Sequence, residues 1–342
     1  LRVRLMHLAV EESVDLALSE RLVLQEAYDL AAQRKIIEQF PAEIPLNRSI
    51  LPKAQAVFCI DVRSEVCRRH LEQASPDMET LGFAGFFAFP IKYQPIGHSH
   101  GRAQCPVLLP AGPTVQETLA DPIANEKATQ RRTVLQHVGK AWKGFKKSAV
   151  SCFGYVSPVG LSFLPKLITD SLGVTRPVAH PDRQGLTRHE HHHKTVDLDS
   201  AAGIPFDQQV GLAQNALKAM SLTEDFARLV LIVGHGANTV NNPHASGLDC
   251  GACGGNAGEA NARVAATVLN NPLVRDQLSY RGINVPDTTW FLACQHDTTT
   301  DEVSVFEQEL VPPSHQEDLA EVQGWLEEAG RNARAERAIR MG

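Results

Sequence analysis

Two periods of apolar and polar positions alternate along the chain. Residues 8–40 follow the helical period, with Val23, Ala27, Leu30 and Ile37 on one face and Pro41 as the stop. Pro41 to Pro52 reads as a loop. Ala54 to Phe58 is a short apolar run of the kind that forms a buried strand, followed by Cys59, Asp61 and Arg63 at alternate positions. If the chain stays extended there, a period of two aims these three side chains the same way, and Ser64 caps a helix running from Glu65 to about Glu72. Leu81 to Phe89 predicts a second strand. Residues 90–125, rich in Pro and Gly, predict irregular chain, and Arg131 to Val150 a basic helix. That helix reads as a solvated face, with an acidic partner surface as the alternative.

The second half is clearer. A helix over Phe206 to Met220 leads to Ala227–Val233, the plainest buried strand in the sequence. Gly234-His235-Gly236 follows, then a turn-rich loop through Asn241-Asn242-Pro243-His244 to Asp249-Cys250-Gly251-Ala252-Cys253-Gly254-Gly255. Helices to Asn271 and to about Arg281 come next, the second stopped by Gly282. Thr288 to Cys294 is a further strand, and the tail from Ser314 is an amphipathic helix. Recurrent strand–helix–strand order predicts an α/β fold with a mostly parallel sheet flanked by helices. The divisions expected are an N-terminal helical segment (1–50), an α/β core (51–310) with an irregular insertion at about 90–205, and a C-terminal helical tail (311–342).

Composition narrows the function. The 342 residues are 43% hydrophobic and 21% charged, with formal charge −6, which is globular. No basic block of nucleic-acid-binding length is present, and no apolar run nears the roughly 20 residues of a membrane span. The opening Leu1-Arg2-Val3-Arg4 is no signal peptide, and the chain reads as a central piece of something longer. Seven scattered cysteines fit reduced thiols, some on a metal, better than a disulfide framework.

Open α/β sheets bind ligands beyond the carboxyl ends of their strands, where Cys59, Asp61, His235 and His296 all fall. Two thiolates, an imidazole and a carboxylate suit Zn2+, so the candidate ligands are Cys59, Asp61, His235 and either Cys250 or Cys253. The competing structural reading is a strand-end Asp–Arg ion pair, a buried thiol and a packed core histidine. His189-Glu190-His191-His192-His193 is taken as an adventitious tract in a polar loop.

The stretches Phe58-Cys59-Ile60-Asp61-Val62-Arg63-Ser64-Glu65, Gly234-His235-Gly236, Asp249 to Gly255 and His296-Asp297-Thr298-Thr299-Thr300-Asp301 resemble the DabA family. These are inorganic-carbon transporter subunits formerly known only as a domain of unknown function. The first three stretches are also similar to the zinc site of β-carbonic anhydrases. The resemblance covers the whole chain and implies a β-carbonic-anhydrase-like core, with zinc held by Cys59, Asp61, His235 and Cys250 and with Arg63 as the partner of Asp61. In the simpler anhydrases the His and second Cys lie close together; here a long loop separates them. The family implies a peripheral position on the cytoplasmic face of the inner membrane. It also implies a membrane-embedded partner resembling the ion-translocating, antiporter-like subunits of respiratory complex I, and energy-coupled hydration of CO2 to bicarbonate. Arg63 would then draw Asp61 on and off the metal, and His296, Asp297 and His244 are weaker candidates for a proton relay. Two alternatives remain: a free-standing zinc anhydrase or hydrolase, and a zinc that only holds the fold.

Overall fold

The computed structural model describes residues 1–40, 51–148, 151–154, 156, 159–175, 181–198, 203–239 and 242–342. The chain divides into two units, Leu1–Ile50 and Leu51–Gly342. Among its described residues the first holds one helix, α1 (Arg2–Ile37), which begins well before residue 8 and has no buried residue. The face expected from Val23, Ala27, Leu30 and Ile37 is therefore not a core face in this chain. Most of the loop expected over 41–52 lies outside the described residues.

In chain order the second unit runs β1 (Ala54–Cys59), α2 (Val62–Ala74), β2 (Met78–Phe83), β3 (Ile91–Gln94), β4 (Arg102–Gln104), β5 (Thr114–Leu119), α3 (Pro122–Lys147), α4 (Ser151–Gly154) and α5 (Leu164–Ser171). It continues through α6 (Arg188–His192), β6 (Lys194–Asp197), α7 (Phe206–Ala219), β7 (Leu229–Gly236), α8 (Glu259–Asn270), α9 (Pro272–Ser279), β8 (Trp290–Asp297), β9 (Glu302–Val305) and α10 (Gln316–Met341).

The fold is α/β. The larger sheet has the order β2-β1-β7-β8-β9, with every pairing parallel except β8 with β9 at the edge. Every residue of β1 and β7 is buried, as central strands covered on both faces require. Alternation sorts their side chains. Val57, Val230, Ile232 and Ala293 join the cluster that includes Val210 and Leu217 of α7 and Val264 and Val268 of α8. Ala56, Phe58, Leu231, Val233 and Leu292 join Leu71 of α2 and Leu319, Val322 and Leu326 of α10.

Three local expectations give way to tertiary context. The second strand lies earlier, at β2, because the chain turns at Phe87 and Ala88, which adopt left-handed φ of 48° and 60°. Phe87 and Phe89 then enter the core from the turn, not from a strand. The stretch expected to be irregular holds a second, mixed sheet of order β4-β3-β5-β6. Its strands are short and partly polar, and they pair across long separations, so local pattern hides them. The histidine tract is helical rather than loop: it forms α6, with Thr187 and Glu190 closing a capping box.

Candidate metal centre

Cys59 is the last residue of β1, and the parallel register Phe58↔Val233 sets that strand end beside His235 near the end of β7. Cys250 arrives from the long loop. Its N–H donates to the Asn256 carbonyl, and Cys253 N–H donates to the Cys250 carbonyl at 3.0 Å, so the Cys-x-x-Cys turn is closed on itself. The two Sγ atoms of Cys59 and Cys250 are 3.6 Å apart. Ligating atoms of Cys59, His235 and Cys250 all lie within 4.8 Å of one another, and all three residues are buried.

Two features fit this pocket to a cation. Both ring nitrogens of His235 are buried without a hydrogen-bond partner. An imidazole in that position loses its hydration and gains no hydrogen bond in return unless it ligates something. Second, a Cβ at Gly85 would lie 2.5 Å from Cys59 Sγ and 2.7 Å from Cys250 Sγ. Only glycine lets this turn close over the paired sulfurs. Two thiols and an imidazole with an acid alongside form a donor set suited to zinc.

Asp61 stands beside that group rather than within it. Its carboxylate accepts from Arg63 Nε at 2.8 Å, Arg63 Nη2 at 2.9 Å and Arg63 backbone N–H at 2.9 Å. Its Oδ2 is 3.4 Å from His235 Nε2. Burial works against its charge, but the Arg63 side-chain and backbone N–H groups outweigh that and hold Asp61 down to about 2. The sequence expectation of an extended Cys59–Arg63 run with Ser64 as cap is corrected here. The strand stops at Cys59, Asp61 is the N-cap of α2, and Arg63 already lies in the helix. Asp61 and Arg63 meet because a capping aspartate reaches the backbone N–H two residues on, not because an extended chain aims them alike.

The sequence left Cys250 and Cys253 as alternatives. Cys250 lies in the close group; Cys253 is fully buried behind it and hydrogen-bonds to its sulfur. Hydrogen bonds from Cys253 and Cys59 push the Cys250 thiol down, while the same bonds and burial push Cys59 and Cys253 up.

The other candidates occupy different settings. His296, in register with His235, is fully buried; Ser64 Oγ lies 2.9 Å from its Nδ1, and Asp301 Oδ1 lies 3.2 Å from its Nε2. Asp297 accepts from the Thr299 N–H and hydroxyl, and His244 is exposed. Ser64 and Asp301, joined through His296, form with the half-buried Arg337 a network next to the site that sequence reading missed. Only the acidic end of the His296–Asp301 motif hinted at it. Ser64–His296–Asp301 copies the residue types of a hydrolytic triad, but Ser64 is 1% and His296 0% exposed, so no substrate can reach the hydroxyl.

The family model described as "Probable inorganic carbon transporter subunit DabA" matches residues 4–342. A relative of that description from Chloroflexus aurantiacus (strain ATCC 29366 / DSM 635 / J-10-fl) is 52% identical over 294 residues, covering 84% of this chain and 35% of the relative. One from Roseiflexus castenholzii is 50% identical over 306 residues, covering 86% and 36%. A "DabA 1" from Bradyrhizobium sp. (strain BTAi1 / ATCC BAA-1182) is 53% identical over 299 residues, covering 85% and 35%. No solved structure matches the chain. It spans about a third of the length of these curated relatives. On the match along nearly its whole length and the identity to these relatives, the chain belongs to the DabA family of inorganic carbon transporter subunits.

Proposed function

We propose that this chain is the zinc-holding, β-carbonic-anhydrase-like part of an inorganic-carbon uptake subunit that hydrates CO2 to bicarbonate when its membrane partner permits. The observation that carries the reading is His235: a buried imidazole with neither nitrogen satisfied, within ligating distance of two thiols. Cys59, His235 and Cys250 would hold zinc, with Asp61 as the fourth donor. When bound, zinc supplies Lewis-acid activation of water at neutral pH, the chemistry CO2 hydration needs.

The chain's own residues supply control. Asp61 lies between two claims, with His235 and the metal pocket on one side and the Arg63 fork on the other. With Asp61 on Arg63, a fourth ligand position would be left to water; turned inward, Asp61 would fill it. Such a gate lets a partner license hydration, so that free equilibration of CO2 and bicarbonate does not defeat uptake. The partner is an integral membrane subunit resembling the ion-translocating subunits of complex I. This chain works at the cytoplasmic face of the inner membrane, driven by a cation gradient. In support, relatives are named as transporter subunits, and no helix among the described residues is long and apolar enough to cross a membrane.

The test is metal analysis and stopped-flow CO2 hydration on the purified protein. One zinc per chain is expected, absent from Cys59→Ala and Cys250→Ala, with zinc-dependent CO2 hydration by the complex with the partner. Full zinc retention in either variant would sink the ligand set. Fast, zinc-dependent hydration by the protein alone would favour a free-standing anhydrase. The buried third thiol, Cys253, favours one second reading, a closed structural zinc. Unfolding on zinc removal, with no change in the metal's coordination when Asp61 is replaced, would support it.

A further inference from the structure

The first turn of α2 is gripped twice from behind, at consecutive residues. Ser64 Oγ hydrogen-bonds His296 Nδ1 at 2.9 Å, and the Arg63 carbonyl accepts from Arg337 Nη2 at 2.5 Å. Both grips end on one carboxylate. Asp301 Oδ1 lies 3.2 Å from His296 Nε2 and accepts from Arg337 Nη2 at 2.9 Å, while Asp301 Oδ2 accepts from Arg337 Nε at 2.6 Å. The result is a closed ring: Arg63, Ser64, His296, Asp301, Arg337 and back to Arg63. The Asp301 carboxylate can only accept, so His296 Nε2–H donates to it.

Further observations show that the ring is built and not incidental. Asp301 holds a left-handed backbone, φ 54°, unusual for a residue with a side chain. Gly330 of α10 packs so closely there that a Cβ would overlap the Asp301 carbonyl oxygen. Arg334 of the same helix donates to the Thr300 carbonyl at 3.0 Å. The last stretch of α10 is thus locked to the 300–301 turn, and through Asp301 to the turn that carries Arg63.

We infer that Arg337 is a positioning residue that sets the Arg63 fork against Asp61, coupling the C-terminal part of α10 to the metal pocket. The inference rests on the proposed Asp61–Arg63 gate. Arg63 can hold both carboxylate oxygens only while its backbone is fixed, and Arg337 supplies the side-chain hydrogen bond to that residue's carbonyl. A shift of α10 by a fraction of a hydrogen-bond length would move Arg63 before any ligand residue. A bound partner pressing on α10 would thereby reach Asp61.

The experiment uses the full-length protein loaded with cobalt(II), whose visible absorption reports coordination number and donor set. Arg63→Ala, which frees Asp61 to turn inward, supplies the reference spectrum. Arg337→Ala is expected to keep one cobalt per chain and wild-type circular dichroism while its visible band moves to the Arg63→Ala position. Adding Arg337→Ala to Arg63→Ala should shift the band no further, as two residues acting in series require. If Arg337→Ala does not fold, Arg337→Lys keeps the charge but loses the paired donors, and is read the same way. A loaded Arg337 variant with the wild-type band overturns the inference, even if its melting temperature falls, because that marks a purely structural role. Wild-type protein that takes up no cobalt overturns the metal reading, and the inference with it.

Discussion

On β5, β6 and α8, Lys194 Nζ lies 2.9 Å from Glu117 and 3.1 Å from Glu259, and Arg263 Nε lies 2.9 Å from Glu259. Tyr93 hydroxyl and Ile96 N–H also donate to Glu117. Lys194, Glu117 and Arg263 are nearly or fully out of water and Glu259 is half-buried, and each has an opposite charge within 3.1 Å. At the end of β1 and β7 a similar degree of burial meets a different arrangement: the His235 imidazole has no hydrogen-bond partner at either nitrogen, and the thiols face one another. One cluster pairs each of its charges as folded, with Arg263 Nη2 left without a hydrogen-bond partner. The other is complete only with something added. Burial alone therefore does not mark a site; an imidazole with neither nitrogen hydrogen-bonded, beside two buried thiols, does.

The sharpest way to break the comparison is to unpair the charges of the first cluster. Lys194→Met leaves Glu117 and Glu259 without their shared cation, a change that costs about 3–5 kcal/mol. The pH dependence has a definite sign. Burial opposes ionisation of Glu259, but Lys194 and Arg263 outweigh it and hold the group down to about 2. That stability is fully present above the ordinary carboxylate range and is lost as pH falls through it toward about 2. Lys194→Met should lose most of this dependence, so the gap between variant and wild type narrows in acid. Urea titrations from pH 7 to pH 3 measure it. A constant gap across that range would contradict the assignment.

The next test acts on the other cluster. A metal that binds only the folded chain stabilises it by about 2.7 kcal/mol at a hundredfold excess over Kd. Chelation should lower the melting temperature of wild type accordingly, and leave Cys250→Ala unchanged because it has nothing to lose. Equal shifts in both would place the metal elsewhere.

Gly85→Ala sharpens the point, since it alters no ligand. Its Cβ must displace one of two sulfurs, an overpacking expected to cost about 1–3 kcal/mol. Metal content should fall below one per chain while circular dichroism is retained. Full occupancy would show that the turn relaxes away from the pocket.

These contrasts explain what the sequence could carry. β1, β7 and β8 were legible because central parallel strands are continuously apolar, and because Cys59, His235 and His296 punctuate their ends. The distant Cys250 was legible through its Gly-flanked Cys-x-x-Cys, although nothing local chose it over Cys253; that choice depends on how the loop folds back onto Asn256. The small mixed sheet was hidden, since β3 and β4 are short and β5 pairs with β6 from beyond α3. Lys194 and Glu117 were hidden with it: a lone Lys and Glu far apart in sequence look like surface residues until the strands pair. Arg337 was hidden for the same reason, sitting in a tail whose amphipathic pattern predicts a helix but not what its arginines touch.

The smallest effect on stability is expected at the residue with the largest proposed effect on function. Arg63 and Asp61 are partly exposed, and pairs of that kind contribute about 0–1 kcal/mol. In Arg63→Ala, Asp61 keeps its backbone capping bond to residue 63, so α2 still starts where it does. Melting temperature and zinc content should stay near wild type. What changes is the competition for the carboxylate. Without the guanidinium fork Asp61 has one remaining claimant, the pocket beside His235, and on the proposed gate it would take up the fourth position there. Arg63→Ala should therefore fail to support growth in air of a host lacking carbonic anhydrase. Arg63→Lys should be nearly as defective, because a single ammonium cannot take both oxygens. Growth like wild type would remove the gate while leaving the ligands standing. Loss of zinc would instead make Arg63 part of the site's framework, and the two buried clusters would then differ less than their hydrogen bonds imply.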